Sequence, residues 1–188
     1  MKTDITGYRI YKPTRAKNGT AIQFNPDNNL GYIWLEIAPQ LAEKEFDWGK
    51  KIIFKLGHDD LLKLIYWMEI VRTERYKDQL AAEAPETFDT WMGDLCRKDK
   101  KDPYLLELFH RNHRKNEDAV LTLLPNGAKY GGGFRIRLYK KFADGTNLNY
   151  QVAVSTHETL GILYVLEKPL KALGFETGGS GSYESAPS

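Results

Sequence analysis

The residues of this chain best suited to chemistry are cations and aromatic rings that alternate along short runs. Arg9 and Tyr11 stand two apart, as do Tyr32 and Trp34, and Arg135, Arg137 and Tyr139 form a third such run. Lys51 and Lys55 stand four apart in a segment of the same character, and Lys17 adds a cation from the polar basic turn at 14–18. Period-two spacing gathers side chains on one face of a β-strand. Cations there neutralise phosphates and rings stack on bases, so such a face suits a nucleic-acid chain. Outward strand positions are polar in most sheets, and Arg–Tyr cross-strand pairs stabilise sheets in any case. Alternation alone therefore leaves a nucleic-acid surface and an ordinary solvated face both open.

Other chemistry has little support. His110 and His113 are three apart, but no Cys, Asp or Glu at ligand spacing accompanies them, and Arg111, Arg114 and Lys115 make the stretch a basic loop. Gly131-Gly132-Gly133 lacks the strand-before, helix-after setting of a phosphate loop. Cys96 has no base near it in sequence, and Asp47 beside Trp48 reads as a turn cap. No catalytic residue, metal or cofactor is expected, and the chain does not read as an enzyme. No helix-turn-helix or zinc-finger pattern is present for reading base edges in a groove.

Composition sets wider bounds. With 188 residues and 41% hydrophobic content the chain can bury the core of one domain. A formal net charge of +2 means that any basic surface is local. The single cysteine excludes an internal disulfide framework and fits a reducing compartment. No apolar run is long enough for a membrane span, and residues 1–9 lack signal or transit character. The expected location is intracellular, cytoplasmic for a prokaryotic or viral source.

These residues must be positioned by the elements around them. Strands are predicted at 8–12, 20–25, 32–38 and 50–56, joined by short connections as in an antiparallel meander. In the third, Ile33, Leu35 and Ile37 share the core face; in the fourth, Ile52, Phe54 and Leu56 do. The period then becomes helical over 58–82, with Leu61, Leu64, Ile65, Met68, Val71 and Arg72 at helical spacing. Residues 84–116 are the least legible and read as an inserted segment, with a short helix at 87–95, a charged loop at 97–102 and a helical turn or two at 104–110. Strands return at 119–124, 134–141 and 148–154, with a hairpin turn at Asp144-Gly145. Ser155 and Glu158 form a capping box for a last helix carrying Leu160, Leu163, Tyr164, Leu166, Leu170 and Leu173, which Pro169 should kink or interrupt. Residues 177–188 are a Gly/Ser-rich tail expected to be disordered. The openings His58-Asp59-Asp60-Leu61 and His157-Glu158-Thr159-Leu160 suggest a duplicated meander-plus-helix plan.

One block is more specific. Ala38-Pro39, a variable turn, Phe46-Asp47-Trp48 and then Lys51 resemble the core of the Whirly single-stranded DNA-binding proteins. Lys17-Asn18-Gly19-Thr20-Ala21-Ile22 is similar to a degraded form of that family's Lys-Gly-Lys-Ala-Ala-Leu segment. Leu108-Phe109-His110, Gly133-Phe134 and Val152-Ala153-Val154-Ser155 match further family features in the right order. The resemblance implies an α+β fold of two antiparallel four-stranded sheets, each followed by a helix, in a single domain over 1–176 with 84–116 as an insertion. It also implies a homotetramer that binds single-stranded DNA without sequence preference, in replication, recombination or repair. The residues expected to carry binding are Arg9, Tyr11, Lys17, Tyr32, Trp34, Lys51, Lys55, Arg135, Arg137 and Tyr139. An RNA-binding or annealing factor and a protein-interaction module are the alternatives. Asn18 and Thr20 depart from the family's Lys and Ala in its oligomerisation-linked segment.

Overall fold

The computed structural model describes residues 7–27, 31–72, 106–125 and 133–172. The first half is a meander of β1 (Tyr8–Lys12), β2 (Thr20–Asp27) and β3 (Tyr32–Ala42). The far side of β3 pairs with two short pieces, β4 (Glu45–Phe46) and β5 (Ile52–Leu56), linked by a 3-10 turn at Trp48–Lys50. Helix α1 (His58–Arg72) follows. The second half is β6 (Leu106–Asn112), β7 (Glu117–Pro125), β8 (Phe134–Lys141) and β9 (Asn147–Val154), paired in that order, then α2 (Thr156–Ala172). All pairings are antiparallel. The expected α+β plan of two sheets, each closed by a helix, is the one observed.

Both sheets bury one face in a common core with the helices. Ile33, Leu35, Ile37, Ile52, Phe54 and Leu56 are all 2% exposed or less, as their alternation predicts. Leu121, Leu123, Phe134, Ile136, Leu138, Val152 and Val154 do the same in the second sheet. Trp67, absent from the predicted helix face, is the largest buried side chain and meets Phe134 edge-on at 5.5 Å, joining α1 to the second sheet. Thr20 Oγ1 donates to the Gln151 carbonyl and ties β2 to β9.

Four expectations change. Residues 106–112, read as helical and as part of an insertion, form β6, the fourth strand that the second sheet needs. Leu106 and Leu108 face the core, but the outward Phe109 sits beside Leu108 and hides the alternation. Leu160 and Tyr164, expected inward, are 52% and 66% exposed, because Thr159, Ile162, Leu163, Val165, Leu166 and Leu170 supply the buried stripe of α2. Pro169 does not interrupt α2, which runs on to Ala172. The helix at 87–95, the loop at 97–102, the stretch of helix at 73–82 and the tail lie outside the described residues.

The fourth change concerns the duplication. In α2, Glu158 Oε2 accepts from the Ser155 N–H (2.8 Å) and hydroxyl (2.7 Å), while Thr159 N–H donates to the Ser155 carbonyl (3.1 Å). In α1, Asp60 Oδ2 accepts from the Gly57 N–H (3.0 Å), and Leu61 N–H donates to the Gly57 carbonyl (2.9 Å). The carboxylate three residues past the cap is the common feature, satisfying an otherwise orphan donor at each helix start. Asp60 thus corresponds to Glu158, one position off from the alignment of His58 with His157.

Candidate nucleic-acid interface

The outward face of the first sheet is built in rows fixed by register. Asn25, Trp34 and Lys55 form one row; Arg9, Gln23, Glu36 and Ile53 form the next; Tyr11, Ala21 and Ala38 form a third. Tyr32 and Trp34 are half-buried and pack edge to face at 5.1 Å. Lys55 lays its ammonium 3.9 Å from the Tyr32 ring centroid and 5.9 Å from that of Trp34, a cation–π arrangement that holds the charge over an aromatic platform. Loss of hydration, then the Asp27 carboxylate, pushes the Tyr32 hydroxyl above its ordinary value, so it stays neutral at physiological pH. At the other end of the sheet Tyr11 is 49% exposed and lies 5.5 Å from Phe46.

Lys51 is not free. Its ammonium lies 2.9 Å from Glu36 Oε1, and the other carboxylate oxygen of Glu36 accepts from Gln23 Nε2. Lys17 is exposed, with φ +55, in the β1–β2 loop. Gln40 orders that loop: its Oε1 accepts from the N–H groups of Thr14 (2.9 Å) and Gly19 (3.0 Å), and its Nε2 donates to the Ala42 carbonyl (2.9 Å). A Cβ on Gly19 would stand 2.2 Å from the Lys12 carbonyl oxygen, so only glycine fits there. Arg15, Lys17 and Lys44 line a cleft of about 440 Å³ beside this loop.

The second sheet presents rows of its own. Phe109, Val120 and Tyr139 make an apolar and aromatic row that ends at the polar Asn149, and Glu107, Thr122, Arg137 and Gln151 make a polar one. Arg135 and Arg137 are exposed, and Arg137 Nε donates to Asn149 Oδ1 at 2.9 Å.

Between the sheets, where β5 approaches β6, lies a cleft of about 680 Å³. Trp34, Ile53 and Lys55 form one wall; Phe109, Arg111, His113 and Arg114 come from β6 and its turn. Phe109 is 58% exposed and Ile53 41%. Lys140 pairs with Glu117 at 2.9 Å, and Arg111 approaches Asp118 at 3.6 Å. Lys55 and Arg114 carry no ion pair among the described residues and stay available to an anion. His110 turns inward, stacking on Phe54 at 4.1 Å and meeting Asp60 Oδ2 through Nε2 at 3.0 Å. Among the described residues no three His, Cys, Asp or Glu converge as metal ligands would.

Of the ten predicted residues, the cleft brings together Trp34 and Lys55, with Tyr32 beside them. Arg9, Tyr11 and Lys51 lie elsewhere on the first sheet, Lys17 in its loop, and Arg135, Arg137 and Tyr139 on the second sheet. The opposite wall, Phe109, Arg111 and Arg114, was missed as a binding element. Phe109 falls where a helical turn is expected and Arg111 and Arg114 where a basic loop is expected, and only the strand at 106–112 turns this stretch toward Trp34.

No family model matches the sequence, and no curated protein matches it. Solved structures do. The plant transcriptional regulator PBF-2 superposes with a TM-score of 0.56 at 18% identity, over 90% of this chain and 91% of that one. WHY3 from Arabidopsis thaliana gives 0.56 at 15% identity, over 90% of each chain. A guide-RNA-binding protein complex bound to a gRNA gives 0.50 at 10% identity, over 89% of this chain and 91% of that one. The chain has the Whirly fold.

Within the Whirly fold, the Ala-Pro and Asp-Trp block is a folding joint. The Pro39 carbonyl accepts from the Asp47 N–H at 2.8 Å, and Asp47 caps the 3-10 turn by accepting from Gly49 N–H at 3.1 Å. This turn separates β4 from β5 while both stay paired to β3, and it delivers Lys51 to the edge of the outward face. Trp48 is half-buried at the turn and does not line the cleft.

Proposed function

We propose that this chain binds single-stranded nucleic acid in the cleft between its sheets, that the ligand is DNA taken without sequence preference, and that it acts on strands exposed in replication, recombination or repair. The observation that carries the reading is the facing of Trp34 and Lys55 by Phe109 and Arg114 across one cleft. Rings on both walls accept any unpaired base, since every base has a π-face, and the flanking cations take the phosphates. Bases in a duplex are already stacked and offer these rings nothing. A fluorescently labelled oligo-dT should therefore bind with an affinity that falls steeply with salt, and a duplex of equal length should compete poorly. Equal binding to duplex, or a salt-insensitive titration, sinks the reading.

RNA is the second reading, because one structural neighbour is a guide-RNA-binding complex bound to a gRNA. Competition between matched DNA and RNA oligonucleotides separates the two, since only a site that contacts the 2′-OH prefers RNA. The assembly we propose is the homotetramer that the Whirly resemblance implies. Leu160 and Tyr164, one turn apart on α2, leave an exposed apolar stripe that a second copy would cover. Native mass measurement reads the assembly directly.

A further inference from the structure

The middle of the first sheet's outward face holds a carboxylate where a polyanion would lie. Glu36 is next but one to Trp34 on β3, so the two side chains share a face about 7 Å apart. Its side chain is only 9% exposed, held by Lys51 Nζ at 2.9 Å on Oε1 and by Gln23 Nε2 on Oε2. Lys51 is 31% exposed, so its ammonium remains reachable from solvent. Arg9, in the same row as Gln23 and Glu36, is exposed. Among the described residues Glu36 is the one acidic group recorded against Lys51.

From this we infer that Glu36 is a specificity- and affinity-setting residue: it sequesters Lys51 from the nucleic-acid phosphates and keeps the backbone of the bound strand off the centre of the sheet. A phosphate that takes Lys51 must break one charge-assisted hydrogen bond to form another, and it leaves a carboxylate without its cation beside it. The exchange gains nothing. Phosphates are thereby directed to cations without carboxylate partners, Lys55 and Arg114 in the cleft, and the strand meets the middle of the face with its bases. The inference rests on the single-strand reading given above and says which of the predicted cations does not contribute.

The test is the salt dependence of oligo-dT binding by the full chain, measured by fluorescence anisotropy for wild type, Glu36→Gln, Lys51→Gln and the double variant. Gln at 36 keeps the shape and can still accept from Gln23, but it releases Lys51. Glu36→Gln should bind about two- to fivefold more tightly, as one exposed ion pair is worth. Its log–log salt slope should steepen by about 0.7, one added phosphate contact on a single strand. Lys51→Gln should keep the wild-type slope while binding more weakly, because it unmasks the carboxylate. The double variant should return to the wild-type slope. If Lys51 were a working phosphate ligand, Lys51→Gln would instead lose about 0.7 from the slope, which overturns the inference without relying on the Glu36 variant. An affinity for Glu36→Gln equal to or below wild type also overturns it. Wild-type protein that binds no oligonucleotide refutes the single-strand reading itself, a separate outcome.

Discussion

Phe109 gives the sharpest test of the cleft. It is a large apolar side chain, 58% exposed on β6, facing the Trp34 wall. Because more than half of it is already in water, Phe109→Ala opens no core cavity; the change in strand propensity costs at most about 1 kcal/mol. What is lost is a stacking surface, worth about 1–3 kcal/mol per base by alanine substitution. Affinity for oligo-dT should fall roughly 5- to 150-fold, since each 1.4 kcal/mol is about tenfold. No charge is removed, so the salt slope should not change. Phe109→Leu keeps apolar area but not the π-face and should fall between wild type and Phe109→Ala. The assay is fluorescence anisotropy at several salt concentrations beside a thermal melt. Trp34→Ala is a poorer probe, since Trp34 is half-buried against Tyr32 and its truncation mixes packing with binding. Binding by Phe109→Ala within twofold of wild type would refute the two-walled cleft.

Three further outcomes follow from the geometry. Burial pushes the Glu158 carboxyl up, but the hydrogen bonds from Lys12 and Ser155 and the Lys12 charge outweigh it and hold the pKa below its usual 4.5. Such a group stabilises the fold above its unfolded pKa and loses that effect as pH falls through the folded one. Glu158→Gln should therefore lower Tm by roughly a few degrees at pH 7, and the gap to wild type should narrow as the pH is taken down into the acid range; a gap that does not narrow at all contradicts the ion pair's role. Gln40→Ala leaves the buried Gly19 N–H without its acceptor and should cost about 1–3 kcal/mol, read as a lower urea midpoint at unchanged m-value. Leu160→Glu with Tyr164→Glu should convert the proposed oligomer to a monomer in native mass spectra, with helical circular dichroism retained; an unchanged mass places the assembly surface elsewhere.

The faces of the sheets were legible because a period of two translates directly into inward and outward positions. Ile33, Leu35 and Ile37, and Ile52, Phe54 and Leu56, needed no knowledge of neighbours. The site was less legible. Its walls come from β3 and β5 on one side and β6 on the other, separated in sequence by α1 and the residues beyond it, and alternation says which side a residue faces but not which strand edges meet. Strand β6 was masked besides, since its third inward position is His110, a polar residue, and its outward Phe109 adjoins Leu108. Lys51 shows the converse limit. Its charge suggested a phosphate contact, whereas its position diagonal to Glu36 across β3 and β5 commits it to a carboxylate.

What holds the cleft walls apart is not made of binding residues. Asp60 of α1 meets His110, the fifth residue of β6, at 3.0 Å; Glu158 of α2 meets Lys12, the fifth residue of β1, at 2.7 and 2.8 Å. Each carboxylate closes the start of its own helix and then reaches the first strand of the other half. Each half therefore has its helix start tied to the other half. Because α1 begins directly after β5, the Asp60–His110 contact, reinforced by the stack of His110 on Phe54, fixes where β6 stands relative to β5. That position is the width of the cleft between Trp34 and Phe109. The dimension that matters for taking up a base is set by a helix-capping carboxylate, and for this reason no spacing among cations and rings along the chain could reveal it.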